Sequence, residues 1–312
     1  MKRIRLVSVA IMIFSVATIL VGVQVRFRAR SELRDELLQR LREEGLQIGT
    51  FRLKSLFAHP FEADPRREIA ISEEDIGSGG FDASGRGLVL NIGYGRVRRV
   101  DVKGHTEWTI DAGEPMTAGT SLTPSPDERS VAYCEHIRQP WPESGMEQPK
   151  LQARFRILTI GTPLRDEVLV DTPDLESPMI GWSPDSQRVV LSIGGEVRIY
   201  ELASRRYRAI GRGVNPSWSP DGSTIAWVGR NQHGVLFEIE TGKESEILGR
   251  ENVLFGMQWS PDSRYLLACV RQLHLFGDTV LMVVRARDGA YTDVLELGLG
   301  WTNRDFGWVF LR

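Results

Sequence analysis

Hydropathy divides the chain into three parts. Leu6 to Val25 is apolar apart from Ser8, Ser15, Thr18, Gly22 and Gln24. As a helix rising about 1.5 Å per residue, that run spans the roughly 30 Å hydrocarbon core of a bilayer. Next, Leu33, Leu37, Leu38 and Leu41 fall at helical spacing within residues 31–44, with Glu36–Arg40 and Arg40–Glu44 as i,i+4 pairs and Gly45 where a carboxyl cap belongs. From Ile48 the period changes to that of strands: short runs of Val, Ile, Leu and Tyr separated by Gly- and Asp-rich turns. The pattern predicts a basic tail at 1–5, a membrane anchor at 6–25, a helical stalk at 26–46 and a β domain over 47–312.

The strands are phased by a repeated stretch. Trp182-Ser183-Pro184-Asp185-Ser186 returns as Trp218-Ser219-Pro220-Asp221-Gly222 and as Trp259-Ser260-Pro261-Asp262-Ser263, each followed by an apolar β run. Pro124-Ser125-Pro126-Asp127-Glu128 is a degenerate copy. Phe81-Asp82-Ala83-Ser84-Gly85 and Trp301-Thr302-Asn303-Arg304 are fainter echoes. Ser-Pro-Asp-Gly/Ser encodes a type I turn, with Pro presetting φ at the second position and Gly or Ser suiting the fourth. The aspartates Asp127, Asp185, Asp221 and Asp262 recur once per repeat after a proline, so they read as turn caps, not as catalytic or metal-binding carboxylates. Trp182, Trp218, Trp259 and Trp301 read as the large side chains packed between successive sheets.

This motif resembles the TolB-type β-propeller repeat, and the resemblance covers residues 81–312. It implies an all-β fold. With repeats starting at 81, 124, 182, 218, 259 and 301, the intervals are 43, 58, 36, 41 and 42. Each full repeat carries four strands, as a blade requires. The last repeat ends after one strand, while residues 48–57 and 68–73 supply strands without partners. The expectation is therefore a six-bladed β-propeller whose last blade is a composite of 301–312 and 48–75, behind an N-terminal transmembrane helix and a short helical stalk.

Charge and composition change little in that picture. Residues 1–46 hold nine Lys/Arg and five Asp/Glu, a net of +4; the whole chain is −2, so the remainder carries −2 − 4 = −6. A mildly acidic β domain lacks the basic face that nucleic-acid binding needs. Lys2, Arg3 and Arg5 also suit a cleavable signal peptide, but the apolar run exceeds a usual h-region and no A-x-A-like site follows it. Arg26, Arg28, Arg30, Arg34, Arg40 and Arg42 would place the β domain on the cytoplasmic side by count. The TolB resemblance implies the envelope side instead, which is the expectation, with the cytoplasmic side as the alternative.

No catalytic machine is recognisable. There is no G-x-S-x-G, no phosphate-binding G-x-x-x-x-G-K-[ST], no H-E-x-x-H and no EF-hand loop, and the five histidines do not pair at metal-ligand spacing. No cofactor is expected. Cys134 and Cys269 occupy equivalent second strands of blades on opposite sides of the ring, too far apart for a disulfide.

The irregular feature is the 58-residue interval, which carries an insertion from Glu135 to Gln152. Trp141 lies there between Pro140 and Pro142, preceded by His136 and Arg138. The connection between blades two and three supplies Asp171, Asp174 and Glu176 on the same face. An exposed Trp on a stiffened loop opposite carboxylates suits a protein or peptide partner, and a tolerated surface insertion is the rival reading. The sequence thus predicts a membrane-tethered, non-enzymatic binding platform. An enzyme using the propeller funnel is the alternative.

Overall fold

The computed structural model describes residues 28–40, 43–44, 46–52, 55–59, 67–70, 78–82, 84–92, 96–111, 122–138, 151–161, 163, 165–172, 180–248, 252–272, 279–297 and 306–310. Helix α1 covers residues 28–40. The expected membrane span at 6–25 lies outside the described residues, among which no helix is long and apolar enough to cross a membrane.

Strands follow in antiparallel meanders. β1 (Leu46–Arg52), β2 (Ser55–His59) and β3 (Arg67–Ala70) come first, then β4 (Ser78–Phe81), β5 (Gly87–Asn91), β6 (Arg96–Asp101) and β7 (Thr106–Asp111). β8 (Leu122–Pro124), β9 (Ser130–Arg138), β10 (Leu151–Thr159) and β11 (Arg165–Thr172) form the next sheet. A seven-stranded sheet continues with β12 (Ile180–Trp182), β13 (Arg188–Ile193), β14 (Glu196–Glu201), β15 (Arg206–Trp218), β16 (Thr224–Gly229), β17 (Gly234–Glu238) and β18 (Glu244–Ile247). Last come β19 (Asn252–Trp259), β20 (Tyr265–Gln272), β21 (Thr279–Arg285) and β22 (Tyr291–Leu297), then β23 (Phe306–Phe310). β15 serves two meanders: Arg206–Arg212 pairs with β14, and Gly213 onward pairs with β16.

The two ends of the chain meet in one sheet of order β23-β1-β2-β3, with Trp308 opposite Ile48. The stretch 48–57, read from sequence as a single strand, divides into β1 and β2. Apolar faces of successive meanders bury one another because each strand alternates its side chains. One cluster joins β5–β6 to β8–β10 through Val89, Val97, Tyr133 and Leu158. Cys134, Phe155, Trp182 and Leu191 join the next pair; Val190, Trp218, Trp227 and Phe237 the next; Val228, Leu254, Trp259 and Met282 the next. β23 then lies beside β4, bringing the last sheet against the first. Cys134 and Cys269, both buried, belong to different clusters.

α1 is not a free stalk. Leu33 and Leu37 are 0% and 1% exposed, packed with Tyr265, Leu267, Cys269, Leu281, Val283 and Trp308. Two leucines four residues apart form one stripe of the helix, and that stripe fills the space between β20–β21 and β23. Glu36 does not serve Arg40 as a helical partner. Its carboxylate accepts from the Tyr265 hydroxyl at 3.0 Å and pairs with Arg285 at 3.0 Å and Arg287 at 3.1 Å. Arg40 keeps Glu44 and also pairs with Asp262.

Candidate functional site

The repeated turn is built the same way four times. Ser125, Ser219 and Ser260 each donate a hydroxyl proton to the Asp two residues on, all at 2.6 Å, and Ser183 does the same to Asp185. Each serine oxygen also accepts the N–H five residues on, at 2.9 Å, from Ser130, Arg188, Thr224 and Tyr265. The aspartate's other work is to accept the N–H of Arg129, Gln187, Ser223 or Arg264. Burial pushes the Asp127, Asp185 and Asp221 carboxyls up. The serine hydroxyl and backbone N–H donors outweigh it and hold all three below the ordinary aspartate value. These carboxylates are committed to the turn.

The fourth position of each turn is left-handed: φ is 59° at Glu128, 57° at Ser186, 78° at Gly222 and 61° at Ser263. That position also links neighbouring repeats. Ser186 Oγ accepts the Asp127 N–H at 3.1 Å, and Ser263 Oγ accepts the Asp221 N–H at 2.9 Å. Gly222 has no hydroxyl, and a Cβ there would sit 3.4 Å from Pro184. At Glu128 the link is ionic: nearly buried Arg99 pairs with Glu128 at 2.8 Å and with Asp82 of the preceding turn at 2.9 Å. The turns are thus linked along one face in two runs, interrupted at Gly222, and Arg40 of α1 joins the second run at Asp262.

The tryptophans complete the scheme. Trp182 Nε1 donates to Thr123 O at 2.9 Å, Trp259 Nε1 to Ser217 O at 3.2 Å, and Trp308 Nε1 to Gln258 O at 3.2 Å. Each acceptor lies one residue before the equivalent motif position of the previous repeat. Trp218 differs, donating to Gly222 O of its own turn at 3.3 Å. Trp308 thus makes the same backward bond as Trp182 and Trp259. Trp301, taken from sequence as the marker of the last repeat, lies outside the described residues.

The predicted partner site is described only in part. Trp141, Asp174 and Glu176 lie outside the described residues, and for His136, Arg138 and Asp171 the backbone alone is described. His136 and Arg138 are on β9 and not in a loop, since β9 runs to Arg138 and β10 resumes at Leu151. Arg138 pairs with Leu151, His136 with Ala153, and Ala153 in turn with Thr172, next to Asp171. The ladder therefore brings 136, 138 and 171 to the same end of one sheet.

A charged cluster that sequence reasoning missed lies on this sheet. Arg156 reaches Asp166 at 2.8 Å and Glu135 at 3.2 Å, and the Tyr133 hydroxyl donates to Asp166 at 2.8 Å. Burial, then Asp166, pushes the Tyr133 hydroxyl well above its ordinary value. Cross-strand register (Arg156 opposite both Tyr133 and Val168) is the signal that would have found it. Among the described residues no group of His, Cys, Asp or Glu is placed to hold a metal ion.

Two solved structures superpose on most of the chain. A protein described as a putative TolB from Agrobacterium tumefaciens matches with a TM-score of 0.58 and 16% identity, over 86% of this chain and 98% of that one. TolB from Acinetobacter baumannii matches with a TM-score of 0.61 and 14% identity, over 85% of this chain and 66% of that one. The fold is that of a TolB-type β-propeller. No protein-family model matches the chain. A stretch amounting to 28% of the propeller chain is 33% identical to dipeptidyl-peptidase 5 of Porphyromonas gingivalis, and covers 17% of that enzyme's length. The chain therefore spans only a small part of this curated relative.

Proposed function

We propose that the chain is a membrane-anchored, six-bladed TolB-like propeller that acts as a non-enzymatic scaffold binding a protein or peptide in the bacterial cell envelope. The blade count follows from dividing the seven-stranded sheet at β15, which with the other four sheets makes six meanders, the last composite. The anchor is the apolar run at 6–25, which leads directly into α1.

One observation carries the binding role. α1 is held against the propeller by the contacts of a protein–protein interface: two buried leucines in an apolar slot and a carboxylate received by one tyrosine and two arginines. A blade surface that holds a helical segment supports this reading, and the 136–176 sector is the proposed second surface, with Trp141 as anchor. A photo-crosslinking amino acid at position 141 of the full chain in cells tests this. Capture of one discrete protein, lost in Asp174→Lys/Glu176→Lys, is the expected result. No adduct above that of a probe at exposed Arg230 would defeat it.

The partial match to a dipeptidyl-peptidase supports a second reading, an enzyme of the funnel. Release of a chromophore from dipeptidyl substrates by the purified chain would establish it. The lack of G-x-S-x-G anywhere in the sequence argues for no release.

A further inference from the structure

Two neighbouring outer edges of the propeller carry opposite charge. The first is the outer half of β15. Arg206–Arg212 pairs only with β14, because pairing with β16 begins at Gly213, so this segment is an open edge. Arg205, Arg206, Arg208 and Arg212 are all exposed there. Arg205 bridges to Glu167 at 3.0 Å, whereas Arg206 and Arg208 make no ion pair among the described residues. The second edge is β18, which ends the same sheet and pairs only with β17. Its Glu244 and Glu246 are exposed, and Glu238 and Glu240 precede them on the hairpin. Glu246 reaches His233 at 3.4 Å with its own side chain 75% exposed.

The spacing of the two edges matches. Arg206-Tyr207-Arg208 sets two positive charges on one face of its strand, two residues apart, and Glu244-Ser245-Glu246 sets two negative charges at the same separation. On the opposite face of the strand, at the intervening position, stands Tyr207, 55% exposed, the most exposed large hydrophobic side chain described. Its ring is already fixed, stacked on Tyr200 at 5.1 Å with the Arg198 guanidinium 4.7 Å from its centroid. Glu196 in turn holds Arg198 at 2.6 Å. A rigid, exposed tyrosine flanked by arginines has the chemistry of an interface anchor and loses little entropy on binding.

We infer that the β15 edge of one molecule receives the β18 edge of a second copy of this chain. Charged edge strands ordinarily keep sheets apart, and here two like edges do repel. Unlike edges attract, which selects one pairing over the other. The two edges belong to meanders packed face to face through Val190, Trp218, Ile225 and Trp227. A two-fold axis directed radially between them therefore brings β15 of each copy against β18 of the other at once. The contact is isologous and closed, giving a dimer and not a filament.

The test is co-purification of two differently tagged full-length chains in non-ionic detergent, with salt as a variable. Mutual capture at low salt is expected, weakening as salt screens the charges. Arg206→Glu/Arg208→Glu and Glu244→Arg/Glu246→Arg should each reduce capture by about tenfold or more, and combining all four should restore it to within about threefold. Tyr207→Ala should weaken capture while lowering the thermal midpoint only slightly, through the lost stacking on Tyr200. The milder pair Arg208→Glu and Glu246→Arg, run alone and together, keeps the swap interpretable if a four-fold variant unfolds. A wild-type chain that never captures its copy overturns the dimer. So does capture that ignores either reversal, or a combined swap that fails to restore what each reversal loses.

Discussion

At the scale of single residues, each repeat aspartate does the work of a capping side chain. Asp221 accepts from the Ser219 hydroxyl, the Ser223 N–H and the Ser223 hydroxyl. Replacing it with Ala strands those donors, and the expected loss is about 0.5–2 kcal/mol of stability, the range for losing a cap. Chemical denaturation measures it, and loss of ligand binding without loss of stability would instead mark a functional carboxylate. The pH dependence has a definite sign. Folding lowers the carboxyls of Asp127, Asp185 and Asp221 below the usual 3.8. Their contribution is therefore fully present above that value and is lost as pH falls through the lower folded value. The thermal midpoint should fall on acidification below about pH 4, and less steeply in a chain carrying Asp185→Asn and Asp221→Asn. An equally steep fall in that variant would assign acid lability elsewhere. The Ser-Pro-Asp turn was legible in sequence because a local hydrogen-bonding pattern depends on nearby residues only. The second duty of Ser186 and Ser263, bonding the Asp of the preceding repeat, was not, since it joins residues 59 and 42 positions apart.

At the scale of elements, α1 shows what a local pattern does and does not reveal. Leucines four apart announced a helix with one apolar stripe, and Arg40–Glu44 formed as an i,i+4 pair. Nothing near residue 36 announced that Tyr265, Arg285 and Arg287 would outcompete Arg40 for its carboxylate. Those donors come from β20, β21 and the turn after β21, more than 220 residues away, and buried Arg285 receiving a carboxylate gains more than an exposed helical pair does. The same distance hid the role of Trp308, whose indole reaches back to Gln258 O; Trp301, at the expected repeat interval, lies outside the described residues. The docked helix should be separable from the propeller. Leu37→Ala empties a site that is 1% exposed, and the expected cost is about 2–5 kcal/mol, felt first in α1. Hydrogen exchange should show fast exchange in residues 28–40 and little change in β12–β17. Uniform loss of protection across all sheets would mean that α1 and the ring unfold as one unit.

At the scale of the whole molecule, the fold depends on its two ends finding each other. β23 is the inner strand of the last sheet, and β1, β2 and β3 complete that sheet from the other end of the chain. The pairing of Leu46–Thr50 with Phe306–Phe310 therefore carries the longest strand-to-strand loop closure among the described residues, and its entropy must be met before the contact forms. Trp308 is what makes the contact worthwhile. It is 3% exposed, covers Tyr265 at a ring separation of 6.3 Å, shares a cluster with Leu33 and Leu37 of α1, and bonds Gln258 O. Removing residues 306–312 should leave β1 with an open edge and expose the Leu267–Leu281 face, so the truncated chain should lose its cooperative transition and aggregate. Two substitutions separate packing from hydrogen bonding. Trp308→Ala should cost about 3–5 kcal/mol, as large aromatic truncations in cores do. Trp308→Phe keeps most of the buried ring and loses the indole donor, leaving a cost of about 1–3 kcal/mol from the lost hydrogen bond to Gln258 O and the smaller ring. Denaturant unfolding gives both values, and sedimentation shows whether the truncated chain stays dispersed. A soluble truncation that unfolds cooperatively, at a midpoint near that of the intact chain, would show that the ring does not need the strand that closes it.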